Sequence, residues 1–68
     1  MIKKKTRSHI CPVCGKFEFP FQDSFAFCEV CGWQDDWYQE AHPDVDCCAN
    51  IMSLNEARKA YAEGREIE

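Results

Sequence analysis

The stretch that decides the fold begins Cys11-Pro12-Val13-Cys14-Gly15 and ends Cys28-Glu29-Val30-Cys31-Gly32. In each unit two cysteines stand two residues apart and a glycine follows, which is the sequence form of a metal knuckle. The glycine allows a backbone with φ > 0 that a side chain would resist. Four thiolates at this spacing can surround one Zn²⁺ tetrahedrally, in a closed site of the structural kind. We predict such a site, with these ligands: Cys11, Cys14, Cys28 and Cys31.

The chain has 68 residues and therefore forms one small domain. A core of this size rarely supplies more than about 3–5 kcal/mol of stability. Structural zinc contributes on the order of 10–16 kcal/mol in finger-type peptides near neutral pH. We therefore expect a fold that depends on its metal.

The six cysteines could instead form disulfides in a secreted protein. The basic N-terminus has no apolar stretch behind it that would make a signal peptide. No apolar run approaches the roughly 18 residues that a membrane span requires. We therefore predict a protein without a membrane segment. We place it in the cytoplasm, because thiols stay reduced in that compartment and are free to bind metal.

Charge divides the chain into a basic start and an acidic remainder. The formal net charge is −4, and all the acidic residues lie from Glu18 onward. Residues 1–8 are predicted to be a flexible basic arm. An acidic domain disfavours contact with phosphate backbones, so only this arm is suited to nucleic acid. Its candidate contacts are Lys3, Lys4, Lys5 and Arg7.

Aromatic residues alternate along residues 16–21 and again along 25–27. This pattern predicts two extended segments, joined by a polar turn at 22–24. They form a β-hairpin that carries both knuckles at one end, as in a zinc ribbon, and Trp33 begins a short third strand. We assign the five phenylalanines to the core: Phe17, Phe19, Phe21, Phe25 and Phe27.

Residues 41–52 lack periodicity and are predicted to be an ordered loop. Ser53 and Glu56 have the spacing of a capping box, which predicts a helix over residues 54–63. Leu54, Ala57 and Tyr61 share the face that packs on the ribbon. Glycine at 64 ends the helix, and residues 65–68 fray, so the domain spans residues 9–64.

Three stretches together resemble the bacterial cysteine-rich CPCC family. They are Cys11–Gly15, Cys28–Asp36, and Ala49-Asn50 with the segment 53–58. The resemblance covers about residues 10–64. It implies a small bacterial or phage protein of zinc-ribbon type and adds nothing about activity.

The chain departs from the family pattern at two places. The family has a further cysteine where this chain has Val13, which leaves Cys11 and Cys14 as the ligand pair of the first knuckle. The family has Gly-Gly where this chain has Cys47-Cys48, so we interpret this place as one for small residues.

Cys47 and Cys48 have one functional interpretation, a redox pair or a second metal site with His42. The alternative is two small side chains in a packed loop, which we prefer because Asp44 and Asp46 disfavour a thiolate. We interpret His9 as a surface residue and His42 as a turn residue.

The acidic and aromatic segment 33–40, together with the C-terminal helix, is the predicted partner-binding surface. Its candidate residues are Trp37, Tyr38, Asp35 and Asp36. Asp35 and Asp36 with Glu40 could hold a catalytic Mg²⁺, but adjacent residues of an extended segment point to opposite faces. We expect one of the two aspartates to cap or bond into the loop instead.

The two knuckles with aromatic packing also resemble rubredoxin, in which iron occupies four sulfurs and transfers electrons. Tetrahedral sulfur sites accept either metal, so iron is the alternative to zinc.

Our prediction is a small metal-stabilised α+β zinc ribbon with a C-terminal helix. We expect it to act as a non-enzymatic module that binds another protein. Lys16 is placed to offset the charge of the sulfurs. The alternatives are a nucleic-acid binder and a rubredoxin-like electron carrier.

Overall fold

The computed structural model describes residues 9–68. Within them the chain forms a small α+β fold with a two-stranded antiparallel sheet and two helices. The strands are β1 (His9–Ile10) and β2 (Glu18–Phe19), and the helices are α1 (Trp37–Ala41) and α2 (Leu54–Ala62). None of the described helices has the length and apolar character needed to cross a membrane.

Each knuckle lies at the end of its own short antiparallel pairing. β1 pairs with β2, with His9 opposite Phe19, and the first knuckle connects them. The second knuckle lies between Phe27 and Gln34, which form an isolated antiparallel bridge. The predicted hairpin between residues 16–21 and 25–27 was therefore wrong. Alternation identified the extended segments but not their partners, which are set by the turn inside each knuckle.

Helix α1 was not predicted, because five residues are too few to show a periodic pattern. It begins at Asp36, whose carboxylate accepts hydrogen bonds from the backbone N–H groups of Tyr38 and Gln39 at 2.9 and 3.4 Å. The other oxygen of Asp36 accepts from the Ala49 N–H at 3.1 Å. The expectation that one aspartate of the pair caps or bonds into the loop is confirmed.

Helix α2 has the predicted capping box and glycine end. The Ser53 hydroxyl accepts from the Glu56 N–H at 3.1 Å, and the Glu56 carboxylate accepts from the Ser53 N–H at 3.0 Å. Gly64 has φ +76°, and the N–H groups of Gly64 and Arg65 donate to Tyr61 and Ala60 at 3.1 and 2.8 Å. This is the Schellman arrangement.

Residues 65–68, expected to fray, instead return to the loop, where the Glu68 backbone oxygen accepts from the N–H groups of Ile51 and Met52 at 2.6 and 3.2 Å.

The core is small and lies between the knuckles and α2. Its buried members are Cys11, Phe19, Cys28, Trp33, Leu54 and Ala57. The assignment of all five phenylalanines to the core was wrong. Only Phe19 is fully buried and Phe17 packs beside it, whereas Phe21, Phe25 and Phe27 are more than half exposed. The two short pairings do not form a sheet broad enough to cover them.

The loop 42–52 is held by one buried side chain of α1, that of Gln39. Its amide nitrogen lies 3.1–3.2 Å from the carbonyl oxygens of Val45, Asn50 and Met52. Its amide oxygen accepts from the Asn50 backbone N–H at 3.1 Å and from the Asn50 side-chain amide at 2.8 Å. The Asn50 side chain also accepts a hydrogen bond from the Gln34 N–H and donates one to the Gln34 carbonyl. It thus bonds to the Gln34 backbone in the way that a neighbouring strand would.

Candidate metal centre

The four predicted ligands converge on one point between the two knuckles. Their sulfur atoms all lie within 4.8 Å of one another, and this group could hold a metal ion. The Cys11 and Cys31 sulfurs are 3.7 Å apart, and those of Cys14 and Cys28 are 3.6 Å apart. A tetrahedral ion with metal–sulfur bonds of about 2.3 Å places its sulfurs about 3.8 Å apart. Two of the six sulfur–sulfur distances therefore match the separation that such an ion requires.

The two knuckles have the same backbone design. In each, the glycine N–H donates to the carbonyl of the first cysteine, at 3.0 Å for Gly15 and 2.9 Å for Gly32. Both glycines have positive φ, +69° and +93°, as predicted. This turn directs backbone N–H groups at sulfur: those of Val30 and Cys31 lie 3.3 Å from the Cys28 sulfur.

Lys16 contributes a backbone N–H group to the site. This N–H lies 3.4 Å from the Cys14 sulfur, while the ammonium group of Lys16 lies 5.9 Å from the centre of the Tyr61 ring. That the charge of Lys16 offsets the sulfurs stays a prediction. Helix α2 also reaches the first knuckle, where the Arg58 guanidinium donates to the Pro12 carbonyl at 2.9 Å.

Burial and the backbone N–H groups act in opposite directions on the thiols. Burial raises the pKa of Cys11 to about 11, and burial also raises the pKa of Cys31. Burial likewise acts to raise the pKa of Cys28, but the N–H groups of Cys31 and Val30 outweigh it, so that pKa is lowered. A metal ion that binds here must displace protons from the thiols whose pKa is raised.

The other two cysteines are separate from this centre. Cys47 and Cys48 are exposed, so the prediction of a packed position was wrong. Cys47 has φ +57°, a conformation that glycine adopts without strain, which explains why this place suits a small residue. Asp46 raises the pKa of the Cys47 thiol. Among residues 9–68, no metal-binding group includes Cys47, Cys48 or His42. His42 is the turn residue predicted, at the end of α1.

The predicted partner surface divides into two exposed aromatic residues and two buried aspartates. Trp37 and Tyr38 are 48% and 54% exposed, whereas Asp35 and Asp36 are 0% and 6% exposed. Asp36 caps α1, and Asp35 accepts from the N–H and hydroxyl of Ser24 at 2.9 and 2.8 Å. Both carboxylates are turned inward, so their assignment to the partner surface was wrong.

His9 belongs to a second cluster, and its assignment as a surface residue was wrong. Its Nε2 lies 2.7 and 2.8 Å from the two carboxylate oxygens of Glu40 and 3.8 Å from the Asp35 Oδ1. Within residues 9–68, these three side chains form the second group that could hold a metal ion. Sequence reasoning missed this cluster, because His9 and Glu40 are 31 positions apart and α1 was not predicted.

The basic residues proposed for nucleic-acid contact lie outside the described residues. These are Lys3, Lys4, Lys5 and Arg7. The described part of the chain carries every acidic residue of the protein but only four of its eight lysines and arginines.

Comparison with known proteins supports the resemblance carried by the knuckles. A search of curated proteins finds no match. The model of a family described as "Cysteine-rich CPCC" matches residues 9–64, from β1 to the glycine that ends α2. The chain belongs to the cysteine-rich CPCC family.

Proposed function

We propose that the protein is a non-enzymatic zinc-ribbon module of the cytoplasm that binds another protein. The observation that carries the proposal is the closed four-thiol cluster. Four cysteine sulfurs fill the coordination sphere of a tetrahedral ion, so no position remains for a substrate or an activated water. A site of this kind stabilises a fold and does not perform hydrolysis.

Zinc is the metal that we assign to the cluster. The small core buries few large side chains, among them Trp33, Phe19 and Leu54. Such a core leaves the domain dependent on a bound ion, and zinc is the commonest ion of structural four-cysteine sites. The zinc ribbon that we propose has two knuckles, each at the end of its own short pairing, in place of a single shared hairpin. The cytoplasm suits six cysteines that form no disulfides.

Exposed aromatic side chains form the surface that we assign to the partner. Five of them are between 48% and 62% exposed: Phe21, Phe25, Phe27, Trp37 and Tyr38. Aromatic residues are the side chains that most often anchor protein interfaces. Phe21, Phe25 and Phe27 lie outside the buried core cluster, so a role in binding accounts for their exposure.

The first arm of the test is metal analysis of the untagged protein from rich medium. One tightly held zinc per chain in a colourless protein supports the proposal. Iron at one per chain with a reversible one-electron potential contradicts it and makes electron transfer the function.

The second arm measures binding to a partner identified by crosslinking in cells and then purified. We expect Phe27→Ser and Trp37→Ser to weaken binding at least tenfold while zinc content and the amide NMR spectrum stay unchanged. Ile51→Ser is the matched control, because Ile51 is 67% exposed and lies in the loop away from the aromatic residues in sequence. Equal affinities for all three variants would contradict the assigned surface.

A further inference from the structure

Three side chains from different parts of the chain meet in a cluster separate from the four thiols. His9 comes from β1, Asp35 from the segment before α1, and Glu40 from α1. One ligand atom from each lies within 4.8 Å of the other two. The cluster is partly enclosed: the side chains of His9, Glu40 and Asp35 are 22%, 9% and 0% exposed.

Asp35 directs an unsatisfied oxygen into this cluster. Its Oδ2 accepts two hydrogen bonds from Ser24, which fix the orientation of the carboxylate. Its Oδ1 is buried and has no hydrogen-bond partner within residues 9–68, a condition that it shares only with the Trp33 Nε1. Buried polar atoms are satisfied in most proteins, and an unpaired charged oxygen is costly. The Oδ1 atom therefore lacks a positive partner at bonding distance, because the His9 Nε2 is 3.8 Å away.

His9 cannot be the complete partner for two carboxylates. Its Nε2 faces both oxygens of Glu40, at 2.7 and 2.8 Å, and is 3.8 Å from the Asp35 Oδ1, beyond hydrogen-bond distance. A protonated imidazole carries one positive charge, whereas the two carboxylates can carry two negative charges. A divalent cation at the centre would balance both.

The three ligand atoms are held by contacts outside the cluster. The His9 ring stacks at 6.2 Å on the buried ring of Phe19, and Ser24 holds Asp35. Asp36 caps α1 and so fixes the turn that carries Glu40, whose N–H donates to the Asp36 carbonyl at 3.1 Å. Such preorganisation by surrounding groups is what a metal site requires.

The spacing and chemistry of the donors fit a first-row divalent ion. Bonds of about 2.0–2.2 Å at angles between octahedral and tetrahedral place neighbouring ligand atoms about 2.9–3.5 Å apart. The contacts of His9, at 2.7 and 3.8 Å, bracket this range. Imidazole and carboxylate together suit Zn²⁺, Fe²⁺ and Mn²⁺, and they differ from the soft thiolates of the first site.

We propose that His9 Nε2, Asp35 Oδ1 and the Glu40 carboxylate bind a second divalent transition-metal ion. Three protein ligands leave at least one coordination position for water, in contrast to the four-thiol centre. The partial exposure of His9 provides the route from solvent.

Titration of the protein that already holds one zinc tests the site separately from the first centre. We expect calorimetry with Zn²⁺ to detect one further equivalent. His9→Gln and Glu40→Gln should each lose that equivalent, or weaken it at least tenfold, while keeping the first zinc. His42→Gln and Asp44→Asn remove the same groups from exposed positions and should keep both equivalents.

A direct readout avoids dependence on variants that fail to fold. In ¹⁵N NMR of the wild-type protein, the Nε2 resonance of His9 should shift as the second equivalent of Zn²⁺ binds, and that of His42 should not. Absence of a second equivalent, or a second equivalent that leaves His9 unshifted, would overturn the proposal. A second equivalent that survives Glu40→Gln, or one that His42→Gln abolishes, would overturn it as well.

Discussion

Replacing Gln39 with leucine tests whether one buried amide holds the loop 42–52 to the rest of the fold. Leucine keeps a similar volume but removes both the donor and the acceptor. The Asn50 backbone N–H loses its acceptor, and the Asn50 side-chain NH₂ group loses one of its two acceptors and keeps its bond to the Gln34 carbonyl at 2.8 Å. The three carbonyls near the Gln39 nitrogen lose their shared donor, which has only two hydrogens to give.

The loss in the free energy of unfolding can be worked out from the hydrogen-bond donors that lose their acceptors. Each buried donor left unsatisfied costs about 1–3 kcal/mol. Counting only the two donors of Asn50, which is 5% exposed, we expect Gln39→Leu to lower the free energy of unfolding by roughly 2–6 kcal/mol. Gln39→Glu should lower it further, because a carboxylate oxygen would face the three carbonyl oxygens without a proton between them.

Urea unfolding of the zinc-loaded protein, followed by tryptophan fluorescence at a fixed free zinc concentration, measures the difference. Gln22→Leu is the matched control, the same substitution at an exposed turn, and should change the free energy by no more than about 0.5 kcal/mol. A Gln39→Leu protein as stable as the Gln22→Leu protein would refute the reasoning.

Three further predictions follow from the same structure. Ser53→Ala removes the capping box of α2 and should cost about 1 kcal/mol in the free energy of unfolding, measured in urea; no measurable change would contradict the cap. Cys47→Gly relieves a left-handed backbone and should raise the melting temperature by about 4–8 °C in a thermal scan, whereas a decrease would contradict the strain. Cysteine thiols have an ordinary pKa of about 8.5, so most of them are protonated at neutral pH in the unfolded, metal-free chain. Zinc binding should therefore release protons and weaken as the pH falls, as calorimetry in buffers of different ionisation enthalpy would detect; proton-independent binding would contradict thiolate ligation.

The sequence was sufficient to predict the knuckles and the capped helix because both are local. A knuckle is set by two cysteines and the glycine that follows them, and the N–H of Gly15 or Gly32 closes the turn within five residues. Ser53 and Glu56 are likewise three residues apart and need no distant partner. We could predict that the four cysteines converge, because one tetrahedral ion takes four ligands.

The strand pairing was missed because alternation does not specify a partner. Phe17, Phe19 and Phe21 indicated an extended segment, but β2 pairs with residues that precede the first knuckle. The strands are two residues long, so most of the aromatic side chains have no sheet to pack against. Burial of the phenylalanines could not be judged until that pairing was known.

The buried polar network was missed because it depends on contacts between distant residues. Asp35, Asp36 and Gln39 appeared to form an acidic polar surface, yet all three are buried. Asp36 begins a helix too short to be recognised, and that helix turns Gln39 toward the loop and Glu40 toward His9.

We infer that a metal ion held by the four cysteines maintains the fold. The most direct test records the amide NMR spectrum of the purified protein before and after a strong chelator removes its metal. We predict that the dispersed spectrum collapses on chelation and returns when one equivalent of Zn²⁺ is added, because the core alone supplies only about 3–5 kcal/mol. A metal-free protein that keeps its dispersed spectrum would contradict the account.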